Sequence, residues 1–264
     1  MTSSSTSPLR HLSKVPEATA LFWAIKIGTT GMGEAASDFM GTRSVPVAAV
    51  LVASSGMTLL WFLVRQYRAD RYVPWIYWGA VAMVSVFGTV AADGLRTVLG
   101  LSYGVTTVVF ALTLGSVLAA WYRSERTLSI HEITTRRREA FYWCTVMATF
   151  ALGTAVGDLT AQSFGLGYLD SGIFFVAVIL VPFLLHRGAS LGATTSFWAS
   201  YIVTRPLGAS FADWAAVPHH DGGQALGTGR VTLVLLCSIA LLVGLESLRR
   251  AALPVPPLTS VAAR

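Results

Sequence analysis

The sequence predicts an all-α fold: a polytopic membrane helix bundle of about eight transmembrane helices, built from four two-helix repeats in parallel orientation. Three observations predict it, namely an apolar composition, apolar runs long enough to cross a bilayer, and a residue signature that recurs four times. Of the 264 residues, 54% are hydrophobic and only 12% charged, and a mean hydropathy of +0.62 is too high for a soluble domain of this length.

Crossing a bilayer takes about 20 apolar residues. Uncharged runs near or above that length occur at 44–64, 72–92 and 97–122. Shorter or interrupted runs cover 18–38, which holds Lys26, then 140–157, 159–185, which holds Asp170, 188–204 and 231–245. The amino terminus, M-T-S-S-S-T-S-P-L-R-H-L-S-K, lacks the basic-then-apolar order of a cleaved signal, so the first run is expected to stay as a helix. The expected organisation is a tail at 1–15, one transmembrane domain at 16–250 and a tail at 251–264. The repeats fall at about 16–71, 72–126, 138–187 and 188–250, with a basic linker at 123–139. The ending P-V-P-P-L-T-S-V-A-A-R reads as an unstructured tail. Cys144 and Cys237 lie inside predicted spans, where a thiol acts as a small apolar group, and no disulfide is suggested.

Orientation follows from the basic residues, which are retained on the cytoplasmic side near span ends. With eight spans and the amino terminus inside, 14 of the 19 Lys and Arg fall on inside segments; the other five are Lys26, Arg43, Arg96, Arg205 and Arg230. Both termini are therefore expected in the cytoplasm. The pI of 9.7 is then a topology signal rather than a nucleic-acid footprint, and the expected partner is the lipid bilayer.

Trp23, Trp78, Trp143 and Trp198 each follow Phe or Tyr. Each is followed ten residues later by glycine (Gly33, Gly88, Gly153, Gly208) and fifteen later by aspartate (Asp38, Asp93, Asp158, Asp213). The tryptophans are 55, 65 and 55 residues apart, so each unit is two spans long and the extra ten residues fall in the linker. From K-V-P-E-A-T-A-L-F-W-A-I-K and T-T-G-M-G-E-A-A-S-D through L-S-I-H-E-I-T-T-R-R-R-E-A-F-Y-W to F-A-D-W, the chain resembles a family of bacterial multi-pass integral membrane proteins of unassigned function. That family is built from four tandem two-helix repeats, each marked by a Trp. The resemblance implies a bacterial inner-membrane location and a fold, but no activity. The fourth unit departs from the pattern, with Arg205 and Pro206 where small residues are expected before Gly208.

At about 100° per residue, the Trp, the position eleven later and the Asp lie within about 60° of one another. Fifteen residues rise about 22 Å, so a Trp near the inner boundary puts its Asp near the outer edge of a core about 30 Å thick. The Gly- and Thr-rich stretches G-T-T-G-M-G, F-G-T and L-G-T raise the expectation of a helix break that would bury the acids more deeply. Two-span units share one orientation, so four equivalent acids can face a common axis; the equal spacings slightly favour two paired halves instead. Membrane carboxylates need partners, and Lys26 and Arg205 supply at most two positive charges for Glu34, Asp38, Asp93, Asp158 and Asp213. The bland reading makes each Trp an interfacial anchor or packing residue, each Gly a close-packing site, and the acids helix caps or solvated ends.

Only the first unit has an acid, Glu34, where the others carry Thr89, Thr154 and Ala209. Glu34 and Asp38, four apart, can present oxygens to one ion or share a proton, with Thr29 and Thr30 adding hydroxyls if the helix unwinds. Lys26 is the competing partner for Glu34. His219, His220 and Asp221 are a weak external metal motif, and His131 and Glu132 read as surface residues. No nucleophile–base pair or cofactor loop is present, so neither an enzyme nor a cofactor is expected. The expectation is a secondary transporter or channel-like pathway for a small cation or proton-coupled solute, its metal identity unknown. The alternative is a sensor or assembly protein whose acids are structural.

Overall fold

A computed structural model describes residues 13–188 and 190–252. Most of both expected tails lies outside the described residues. The described residues form eight long helices: α1 (Ala20–Gly41), α2 (Val45–Arg68), α3 (Pro74–Leu99), α4 (Tyr103–Glu125), α5 (Arg136–Asp158), α6 (Gly167–Arg187), α7 (Ala193–Ala216) and α8 (Thr228–Ala251). Their starts are encoded locally. Thr19, Ser102 and Thr135 accept hydrogen bonds from free backbone N–H groups of α1, α4 and α5. Pro46 and Pro74 sit in the first turns of α2 and α3, where an N–H has no helical partner to lose.

Six of these helices, all but α1 and α7, are long and apolar enough to cross a membrane, which supports a multi-pass membrane protein. The other two hold Lys26, Glu34 and Asp38 on α1, and Arg205 and Asp213 on α7. No break interrupts α1, contrary to the expectation raised by its glycines. The seventh helix also runs through Arg205 and Pro206 to Ala216, well past the apolar run at 188–204, because the flank of Pro206 packs inside the bundle. The sixth begins at Gly167 rather than 159, since Leu159–Ser163 form a π-helical turn that extends α5.

The odd-numbered helices form an inner ring in which α1 and α5 each pack against both α3 and α7. The arrangement thus has one axis, correcting the leaning toward two paired halves. The even-numbered helices pack outside, each against the first helix of the next pair: α2 on α3, α4 on α5, α6 on α7, and α8 back on α1. Burial follows this division, with 67% of the most apolar stretch of α5 inside the protein against 11% of that of α2. Unpaired outer faces rich in Leu and Val suit lipid, as on any membrane bundle. Basic residues occupy the last turns of α2, α4, α6 and α8, where they also complement the helix dipole.

At the tryptophan end the ring is closed by side chains. Tyr77, Trp78, Tyr142, Tyr201 and Trp121 are buried, and the hydroxyls of Tyr77 and Tyr142 meet at 2.5 Å. The linker folds beneath them with Ile130 and Ile133 buried, Ser13 Oγ donates to the Ile130 carbonyl, and Trp198 Nε1 donates to the Leu128 carbonyl.

Candidate functional site

The signature glycines set the spacing of the ring. Gly33 faces Ser85, Gly88 faces Phe150, Gly153 faces Arg205 and Gly208 faces Thr30, and a Cβ at any of the four would overlap that neighbour. Each neighbour lies seven residues after the Trp of the next inner helix, so one contact repeats around the ring and closes from α7 to α1. Absent side chains let the helices approach, and the position-seven side chains are carried to the axis.

Three of those side chains are Thr30, Ser85 and Phe150; the fourth is Arg205, fully buried. Its Nη1 donates to the Thr30 carbonyl at 3.0 Å. Its Nη2 donates to Glu34 Oε2 at 2.5 Å, to Thr154 Oγ1 at 2.8 Å and to Thr89 Oγ1. The guanidinium therefore bonds the eleventh-position residues of the other three units, while its own unit has Ala209 there. A planar, always-charged fork suits this multiple attachment. Arg205 is the charge partner of Glu34, and Lys26 is not. The Lys26 amine instead sits between the rings of Phe150 and Tyr201, 4.0 and 4.2 Å from their centroids.

One turn beyond lies the aspartate layer. Asp213 is buried, at 7% exposure, while Asp38, Asp93 and Asp158 are half-buried. Carboxylate oxygens of Glu34, Asp38 and Asp213 all lie within 4.8 Å of one another, which makes them the one metal-capable group among the described residues. Asp93 and Asp158 stand outside that group. Asp158 is the last α-helical residue of α5 before the π turn, a distortion often found at functional positions. Asp38 and Asp213 occupy the last turns of α1 and α7, where the dipole is negative, so the backbone adds to the repulsion between them. Among the described residues no salt bridge joins these aspartates to a base. At this end Arg43 stacks on Phe39 and Arg96 on Tyr103.

Thr29 and Thr30 do not serve as the hydroxyl ligands expected of an unwound helix. Thr29 Oγ1 donates to the Lys26 carbonyl at 2.8 Å, and Thr30 Oγ1 to the carbonyls of Ile27 and Thr204 at 2.6 and 3.1 Å. Trp78, Trp143 and Trp198 are buried, which fits the packing role among the expected alternatives, and Trp23 is half-exposed. Trp78 Nε1 donates to Glu246 Oε2 at 2.9 Å. His131, Glu132, His219, His220 and Asp221 are exposed and away from the axis.

Two acids that sequence reasoning passed over are satisfied at the tryptophan end. Glu139, buried at 1% exposure, accepts from Lys14 at 2.9 Å and from Gln66 at 3.3 Å. Glu246 accepts from Trp78, from the Tyr72 hydroxyl at 2.9 Å and from Arg250 at 3.2 Å. Burial, and then the Glu246 charge, hold the Tyr72 phenol well above its ordinary range, so it stays a donor. Glu139 and Glu246 fall outside the Trp–Gly–Asp pattern, so periodicity could not find them; Thr89, Thr154 and Arg205 were each marked by position, but not as partners of one another.

Residues 76–127, 141–190 and 196–252 each match a repeat of unknown function (DUF347). The chain belongs to this family. The three matches fall on the pairs α3–α4, α5–α6 and α7–α8, while α1–α2, which contributes Glu34 and Asp38, lies outside them. No curated protein and no solved structure matches the chain.

Proposed function

We propose that this protein is a bacterial inner-membrane transporter for a small cation, with eight spans, both termini cytoplasmic, and α1–α2 as a fourth, diverged copy of the repeat. The single observation that carries this reading is the gathering of Glu34 and the four aspartates at one end of the axis, where Arg205 is ion-paired to Glu34 and, among the described residues, no salt bridge joins the aspartates to a base. A protein that needed these acids only for packing would pair them, because an uncompensated carboxylate in a membrane costs about 2.5–3.5 kcal/mol. Negative helix ends point the same way. With the aspartate end outside, the layer is a receiving site for cations, and protons are the available coupling ion.

The second reading, a sensor or assembly protein, is favoured by the aromatic layer and linker that fill the tryptophan end. A transporter must open that layer in its cycle, in the manner of gated inner and outer access. Reconstitution of the purified chain into vesicles, with a panel of cations and a pH-sensitive dye, separates the two. Cation movement that is lost in Asp38→Asn and Asp213→Asn supports transport. No movement of any cation, in vesicles holding folded protein, supports the second reading.

A further inference from the structure

Two features of the aspartate end ask for something more specific than general negative charge. The first is convergence: oxygens of Glu34, Asp38 and Asp213, from α1 and α7, lie within 4.8 Å of one another, whereas Asp93 and Asp158 do not join them. The second is an orphaned acceptor. Asp213 is 7% exposed, and among the described residues its buried Oδ1 has no hydrogen-bond donor. Buried carboxylate oxygens are ordinarily satisfied, so an empty acceptor on a member of an acidic group points to a cationic ligand.

We infer that Glu34, Asp38 and Asp213 form a binding site for one hard divalent cation of calcium or manganese size. The inference rests on the cation reading above and gives it a ligand class. All the donors are carboxylate oxygens, with no His or Cys, which suits hard ions over soft ones. Two oxygens on opposite sides of an ion are separated by twice the metal–oxygen distance, about 4.6–5.2 Å for calcium. The group fits within that span. Three carboxylates and the Arg205 guanidinium sum to a charge of two minus, which one divalent ion neutralises and one sodium does not.

Arg205 acts here as a positioning residue. It holds Glu34 through Oε2 and ties the same carboxylate to Thr89 and Thr154. The half-buried Asp38 gives the ion its approach from the aspartate end. Water would complete the coordination shell, as it does at many calcium sites.

Calorimetric titration of the full chain in detergent, with calcium or manganese in about 150 mM NaCl to screen diffuse attraction, tests the site. We expect one ion per chain. Asp213→Asn and Asp38→Asn, each confirmed as folded by its unfolding temperature without the ion, should weaken binding at least about tenfold. Asp93→Asn and Asp158→Asn, on the same ring but outside the group, should change it less than about threefold. Equal losses in all four variants would mean diffuse attraction to an acidic rim, and the site would fall. So would the lack of saturable divalent binding, or unchanged binding in both Asp38→Asn and Asp213→Asn. Vesicle flux keeps the two proposals apart: binding without flux retires the transporter and keeps the site, while flux of monovalent ions without divalent binding does the reverse.

Discussion

The two ends of the axis treat buried acid in opposite ways. At the tryptophan end, Glu139 has Lys14 and Gln66, and Glu246 has Trp78, Tyr72 and Arg250. At the aspartate end, Arg205 pairs with Glu34 alone, and among the described residues Asp213 keeps an oxygen with no donor. The contrast separates two uses of charge in one bundle. Satisfied acids pin the inner helices to the outer ones and to the amino-terminal segment, while the acids of the aspartate layer, where the inner helices approach one another at their glycines, are left to an external cation.

Breaking the Arg205 hub should have the largest effect. Arg205→Met leaves Glu34 buried and unpaired, which should cost about 3–5 kcal/mol, read as a large fall in unfolding temperature in detergent. The double variant Glu34→Gln/Arg205→Met should recover much of that loss; a stable single variant would show that the guanidinium does not hold the ring. Next comes Gly153→Ala, whose new methyl would overlap the Arg205 stem and meet Pro206 Cδ at 3.1 Å. Overpacking there should cost about 1–3 kcal/mol, whereas Gly115→Ala, with open space at its Cβ, should cost nothing by the same assay.

Glu246→Gln at the tryptophan end should cost about 1 kcal/mol by weakening charge-assisted bonds from Trp78 and Tyr72. Asp93→Asn at the other end should be the smallest change and of opposite sign. It removes one of several like charges, so the unfolding temperature in low salt should stay level or rise slightly, and high salt should erase the difference. A fall as large as that of Glu246→Gln would erase the distinction between the ends.

How much of this was legible in the chain follows from which interactions are local. Helix existence, the two-span repeat and the face shared by Trp, Gly and Asp come from composition and period, because a helix repeats every 3.6 residues or so whatever it packs against. The same regularity made Glu34 stand out against Thr89, Thr154 and Ala209, and it marked Arg205 as an exception within its unit. Tertiary structure alone decided the partners. Lys26 is eight residues from Glu34 and on a nearby face, yet the bundle sends its amine between Phe150 and Tyr201 and brings Arg205 from 171 residues away. It also decided that α2, α4, α6 and α8 pack on the following pair, and that Asp213 rather than Asp93 joins Glu34 and Asp38. Those outcomes depend on how four helices close around an axis, and closure is set by contacts between segments far apart in sequence, which no local period encodes.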